Sequence, residues 1–142
     1  MIRNITKNTC VAQAPKEAVS FFERTRGMIG RCFDGFDAMV FARCSMIHTF
    51  FMSIKIDVIF LSPENKVLRV VDSLAPYVAA CGCRHAVKVI ELPAGAAKSS
   101  RTELGDHLDI DAQPIGEQNQ KKKTAELGGN APAALYDGDA KL

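Results

Sequence analysis

Ile54-Lys55-Ile56-Asp57-Val58-Ile59-Phe60-Leu61 is the stretch on which the fold turns. It is rich in β-branched and aromatic residues and nearly continuous in hydrophobicity, so it predicts a strand. Ser62-Pro63-Glu64-Asn65 reads as a turn. Lys66 to Val71 then returns as the partner strand of a hairpin. Working outward, Asp34-Gly35 is a turn signal, and Ala38 to Ala42 is a strand after it. Ala86 to Leu92 is another strand, closed by Pro93-Ala94-Gly95. Arg101 to Leu104 reads as a short helical turn, and Gly105-Asp106 opens a last strand over His107 to Ile110. Ile2 to Val11 reads as an edge strand. Between these, Ala18, Phe21, Phe22, Thr25, Met28 and Ile29 recur at three- and four-residue spacing, which predicts a helix over Pro15 to Met28. Pro15 suits its first turn, and Gly27 or Gly30 suits its end. Short strands, one helix and no βαβ alternation predict a small mostly-β (α+β) domain. Its expected form is a closed β-barrel or sandwich with one packed N-terminal helix, because closure removes exposed strand edges.

Composition narrows the function classes. The chain has 142 residues, 47% of them hydrophobic and 24% charged, which fits one globular domain. Its net charge is +2, Trp is absent and Tyr occurs twice, and no basic stripe interleaves with aromatics. Nucleic-acid binding is therefore not expected. No apolar run reaches the roughly 18 residues that a membrane helix needs, since Lys55 and Asp57 break the longest candidate, Ile47 to Leu61. Positive charge near Met1 is followed by no apolar core, so no signal peptide is read. With five cysteines, free thiols in a reducing cytoplasm are the default, and metal ligation or redox chemistry is the alternative. Composition shifts after Ile110. Residues 111–142 carry Lys121-Lys122-Lys123, Gly128-Gly129 and few large apolar groups, and read as a flexible polar tail behind a folded domain of residues 1–110.

Candidate chemistry gathers on Cys44-Ser45-Met46-Ile47-His48-Thr49-Phe50-Phe51-Met52. If this segment is extended, Cys44, Met46, His48, Phe50 and Met52 share one face. Thiol, thioether and imidazole suit a soft or borderline metal, Cu(I) or Zn(II), with Cys83 of Cys81-Gly82-Cys83 as a further ligand. The competing reading makes the methionines core and His48 a satisfied core histidine. Asp57 stands inside a hydrophobic run, and if buried it needs a partner: an arginine, His48 or backbone N–H groups. Glu91, in Val89-Ile90-Glu91-Leu92, is a second strand carboxylate that could converge with Asp57 as an acid/base pair. Arg24, Arg26 and Arg31 surround the expected helix end, where they could hold an anion or satisfy helix carbonyls. No phosphate loop, dinucleotide fingerprint or nucleophile elbow appears.

Five ordered words resemble the DUF192 family of small prokaryotic proteins. They are Arg24-Thr25-Arg26-Gly27-Met28-Ile29-Gly30-Arg31, Ile47-His48-Thr49-Phe50-Phe51-Met52, Ile56-Asp57-Val58-Ile59-Phe60-Leu61, Val89-Ile90-Glu91-Leu92-Pro93-Ala94-Gly95 and Gly105-Asp106-His107-Leu108. The chain departs from the family pattern at Asp37-Ala38, at Ser53 and at Cys81-Gly82-Cys83. The resemblance implies a compact mostly-β fold with one packed helix and no established activity.

No complete catalytic constellation emerges. The leading expectation is a non-enzymatic domain that binds an unknown small ligand or protein partner through His48, Met52 and Asp57, with Glu91 and Arg26 as further contacts. One alternative is a copper or zinc protein using Cys44, Met46, His48 and Cys83; another is a hydrolase using Asp57, Glu91 or His48. No cofactor beyond such a metal is expected.

Overall fold

The computed structural model describes residues 1–19 and 33–111. The hydrophobic run forms β6 (Ile56–Leu61), every residue of which is buried. It sits inside a five-stranded sheet. Antiparallel neighbours flank it, β7 (Val67–Leu74) on one side and β9 (Lys88–Pro93) on the other. Beyond β9 lies β4 (Ala38–Ala42), antiparallel, and beyond that β3 (Pro15–Glu17), parallel to β4. A central strand covered on both faces has no reason to alternate polar and apolar residues, which accounts for the unbroken run.

Alternate side chains of β6 enter two separate cores. Ile59 and Leu61 pack with Val40, Ile90 and Leu92 on the first face, and Ile56, Val58 and Phe60 pack with Met39, Phe41 and Val89 on the second. The first face is covered by a three-stranded sheet in the order β10 (Leu108–Asp109), β1 (Ile2–Asn4), β2 (Thr9–Ala12), whose Ile2, Val11 and Leu108 join that core. The short helix α1 (Ala96–Ser99) joins it through Ala97. The second face is covered in part by a two-stranded ribbon, β5 (Met46–Ile47) against β8 (Cys81–Gly82), which contributes Ile47 and Cys81.

Several expectations change at this point. The domain is mostly β with a short helix, but among the described residues no sheet closes into a barrel. One isolated bridge, Lys66 to His107, links the start of β7 to the β10 side, and this falls short of a continuous ladder. Ile2 to Val11 is not one strand but a hairpin, folded at Asn8, whose φ is +54°. Pro15–Glu17 is an edge strand rather than a helix start: parallel pairing with β4 outweighs the helical spacing. Proline is tolerated there because an edge strand leaves one side of the ladder unpaired. Ala18 extends the pairing with β4, its N–H donating to Val40 O at 2.9 Å. Residues 20–28 of the expected helix, with Arg24 and Arg26, and Arg31 after it, lie outside the described residues, as do residues 112–142 of the expected tail. Helical structure expected at Arg101 to Leu104 occurs earlier, at Ala96–Ser99. Among the described residues no helix is long and apolar enough to cross a membrane.

Two carboxylates fasten the layers. Asp37 accepts from the N–H groups of Gln13 (2.6 Å) and Ala14 (2.8 Å), which ties the β2–β3 connection to the start of β4. Here the departure from the family pattern has a structural role. Asp106, of the Gly-Asp-His-Leu word, is buried and accepts from Asn4 Nδ2 (2.8 Å) and from the N–H of Glu103 (2.9 Å). Asn4 is itself fully buried and receives the Lys7 N–H on its side-chain oxygen. Asp106→Ala strands these donors, so it should lower unfolding stability by about 1–3 kcal/mol, read from the urea midpoint at constant m-value.

Candidate functional site

Asp57 is fully buried, and its two oxygens are both used. Oδ1 accepts from the Ser73 N–H at 2.8 Å, and Oδ2 accepts from the Ala97 N–H at 3.0 Å. The first bond falls where the β6–β7 register shifts between Ile56 and Val58, and Ser73 has a φ of +50°. The second holds α1 against the sheet. Among the described residues Asp57 thus meets neither His48 nor an arginine; backbone amides bond both oxygens, and the group acts as a structural clamp.

Glu91 cannot join it. Register places Asp57 opposite Leu92 and Val58 opposite Glu91. Directly paired residues share a face, so Asp57 lies on the first face and Glu91 on the second, with the sheet between them. The acid/base pair is excluded by one residue of register. Glu91 is 3% exposed, flanked across the sheet by Met39 and Val58, and its Oε2 has no hydrogen-bond partner. Burial pushes the carboxyl up to about 8. At neutral pH it is a neutral acid.

The Cys44–Met52 stripe does not survive as an extended face. Its strand pairing is limited to Met46 opposite Gly82 and Ile47 opposite Cys81. A Cβ on Gly82 would meet Ser45 O at 3.1 Å and Met46 Cβ and Cγ at 3.5 Å, so the close approach of the strands favours glycine. Met46 lies outside, Met52 is core, and the His48 ring is exposed with its centroid 5.8 Å from that of Phe50. The Cys44 thiol donates to Met46 O (3.2 Å) and the Cys83 thiol to Arg84 O (3.5 Å). Among the described residues no three His, Cys, Asp or Glu side chains gather as a metal site. His48, Met52 and Asp57 do not form one face either: one is exposed, one packs in the second core and one lies on the first face.

What the segment builds instead is a pair of interlocked turns. Met52 N–H donates to Thr49 O (3.3 Å), closing a turn with Phe50 and Phe51 at its tip. Thr49 also completes a second turn, Ala75-Pro76-Tyr77-Val78. Its hydroxyl donates to Ala75 O (2.7 Å) and accepts from the Val78 N–H (2.8 Å). Its main chain exchanges two further bonds with the same turn, Thr49 N–H to Val78 O (2.9 Å) and Tyr77 N–H to Thr49 O (2.8 Å). Thr49 is fully buried, while Phe51 and Tyr77 are 71% and 67% exposed. Both rings sit at the third turn position with positive φ, +61° and +63°. Glycine or asparagine is at ease there, and a bulky residue is a genuine outlier. With Met46 and Phe50 also exposed, and the Phe50 and Phe51 centroids 6.2 Å apart, the turns carry a solvent-facing aromatic platform. Sequence reasoning missed it because Thr-Phe-Phe-Met contains none of the usual turn residues. Pro76 before Tyr77 was the one legible signal.

A separate cleft of about 330 Å³ opens beside β3, β4 and β9, with Glu17, Val40, Lys88 and Asp111 in its walls. None of the candidate site residues read from the sequence lines it.

Two outcomes follow from the buried carboxylates. Asp57→Ala leaves two amides without acceptors and should cost about 2–5 kcal/mol in denaturant unfolding. For Glu91 the folded state holds its proton where the unfolded state, near 4.5, has lost it. Stability therefore falls as pH rises from about 4.5 to about 8 and levels off above, at about 1.4 kcal/mol per pH unit. Urea midpoints from pH 5 to 9 should show this slope in the wild type and lose it in Glu91→Gln.

Comparisons with known proteins agree on the fold. A structure from Novosphingobium aromaticivorans, a protein of unknown function, superposes with a TM-score of 0.60 at 21% identity, covering 67% of this chain and 73% of that one. A second, a putative transcription regulator from Sinorhizobium meliloti, gives a TM-score of 0.60 at 22% identity, covering 67% of this chain and 79% of the other. At these identities the likeness shows the fold alone. No curated protein matches the chain. The profile of DUF192, described as an uncharacterized ACR, matches residues 4–110; with the described words placed on the Thr49 turn, β6, β9 and the approach to β10, the chain belongs to the DUF192 family.

Proposed function

We propose that this domain is a non-enzymatic binding module whose contact surface is the aromatic platform of Phe51 and Tyr77, with His48, Phe50 and Met46 beside it. The observation that carries the reading is the backbone of the two tips. A ring held in the left-handed region costs roughly 1–2 kcal/mol and, at 71% or 67% exposure, recovers little by packing. Folding alone gives no reason to keep such rings at both tips. Contact with another molecule does, since aromatic and methionine side chains dominate binding surfaces. A catalytic reading has no comparable support: Asp57 is committed to backbone amides, Glu91 lies across the sheet from it, and His48 touches neither.

Part of this reading is testable without knowing the partner. Phe51→Gly should raise stability by about 1 kcal/mol, because glycine relieves the positive φ while little packing is lost. A loss of stability would make the ring structural. In the native host, a photo-crosslinking phenylalanine analogue at position 77 should yield a defined adduct that disappears in a Phe51→Gly background. Its absence, or its persistence in that background, would remove the platform from the function.

A further inference from the structure

The two segments that build the platform share an unusual charge balance. Residues 38–56 and 73–90 contain no Asp or Glu, although the chain has 16. They do carry Arg43, Lys55, Arg84 and Lys88, with His48 and His85. Lys55 and Arg84 are exposed. Arg69, exposed on β7, reaches the ribbon and donates to Gly82 O at 2.6 Å. Asp72, just ahead of the second segment, is the neighbouring acid in sequence. Along the chain the apolar tips thus lie between cations: Lys55 adjoins Ile56 at the end of β6 nearer the turns, and Arg69 stands opposite Phe60 toward its other end.

Geometry separates the possible partners. Rings that line a groove are covered by its walls, whereas Phe51 and Tyr77 stand at turn tips and are mostly exposed. A projecting apolar tip needs a soft surface that closes around it. A bilayer interface does so without a preformed cavity, favours aromatic side chains at headgroup depth, and in anionic leaflets attracts the flanking cations. From these tips and their charge we propose that the platform docks the domain on an anionic lipid surface, Phe51 and Tyr77 entering the interface while Lys55, Arg69 and Arg84 meet headgroup charge. This rests on the binding reading above and names the chemistry of its partner. An acidic peptide matches the charge but not the projecting shape. Single-stranded nucleic acid is held by aromatic faces set along a basic groove, whereas these rings stand at turn tips.

Full-length protein mixed with vesicles of phosphatidylcholine, alone or with about a third phosphatidylglycerol, tests it by sedimentation. Expected is binding to the anionic vesicles, weakened about tenfold by 0.5 M NaCl and by about as much in Phe51→Gly/Tyr77→Gly. Those glycines suit both turns, so the variant should remain folded, which its urea midpoint checks. Replacing Lys121, Lys122 and Lys123 by Gln should leave binding in place. No sedimentation with anionic vesicles, binding indifferent to the double variant, or binding lost with the tail lysines would overturn the lipid proposal. A position-77 photo-adduct on a protein or nucleic acid would also overturn it while leaving the platform standing. With no adduct of any kind, both readings fall.

Discussion

Every residue of β6 lies out of water on whichever face it points. That constraint organises the domain. A sheet whose interior strand is apolar on both sides must be covered twice, and among the described residues the two faces are covered by different means. One face receives a second sheet and a helical turn, the other a ribbon of two short strands together with the Met52 anchor of the Thr49 turn. The Asp57 carboxylate fastens this arrangement. It bonds one amide of β7 where the register slips and one amide of α1, and so fixes a neighbouring strand and a covering element at once.

The three buried acids among the described residues show how environment assigns roles to one chemical group. Asp57 and Asp106 each accept from two donors and act as ties between elements. Glu91 has an unpartnered oxygen among apolar neighbours and responds by holding its proton. A difference of one residue in register puts it on the far side of the sheet from Asp57. Side chains that look adjacent in a strand diagram are therefore insulated from one another by the backbone itself.

The ribbon and its turns show a different division of labour. Thr49 is invisible from solvent, yet it closes one turn and completes another. Its hydroxyl stands in for the bond that the Ala75–Val78 turn does not make on its own. Because the two tips are locked together from beneath, their aromatic side chains stay on the outside. The same locking removes the alternation that would have put Cys44, Met46, His48 and Met52 on one face.

Local pattern was enough for much of the sheet. The strand at Ala38 to Ala42, the Ser62–Asn65 turn and the hairpin it joins, and the strand ending at Pro93 were all readable, because short-range hydrophobicity and turn chemistry decide them. So was the need for a partner to Asp57, since a carboxylate in such a run cannot stay bare. Pro15–Glu17 could not be read correctly, because pairing with β4 is a contact across more than twenty residues of chain and overrode local helical spacing. The identity of Asp57's partners, the face on which Glu91 lies and the exposure of Phe51 and Tyr77 were likewise set by register and by one buried threonine. Sequence alone determined the strands around the Ile56–Leu61 run and the need to satisfy the carboxylate within it. Tertiary structure decided which of them could meet, because pairing register and turn closure depend on contacts between segments that no local pattern encodes.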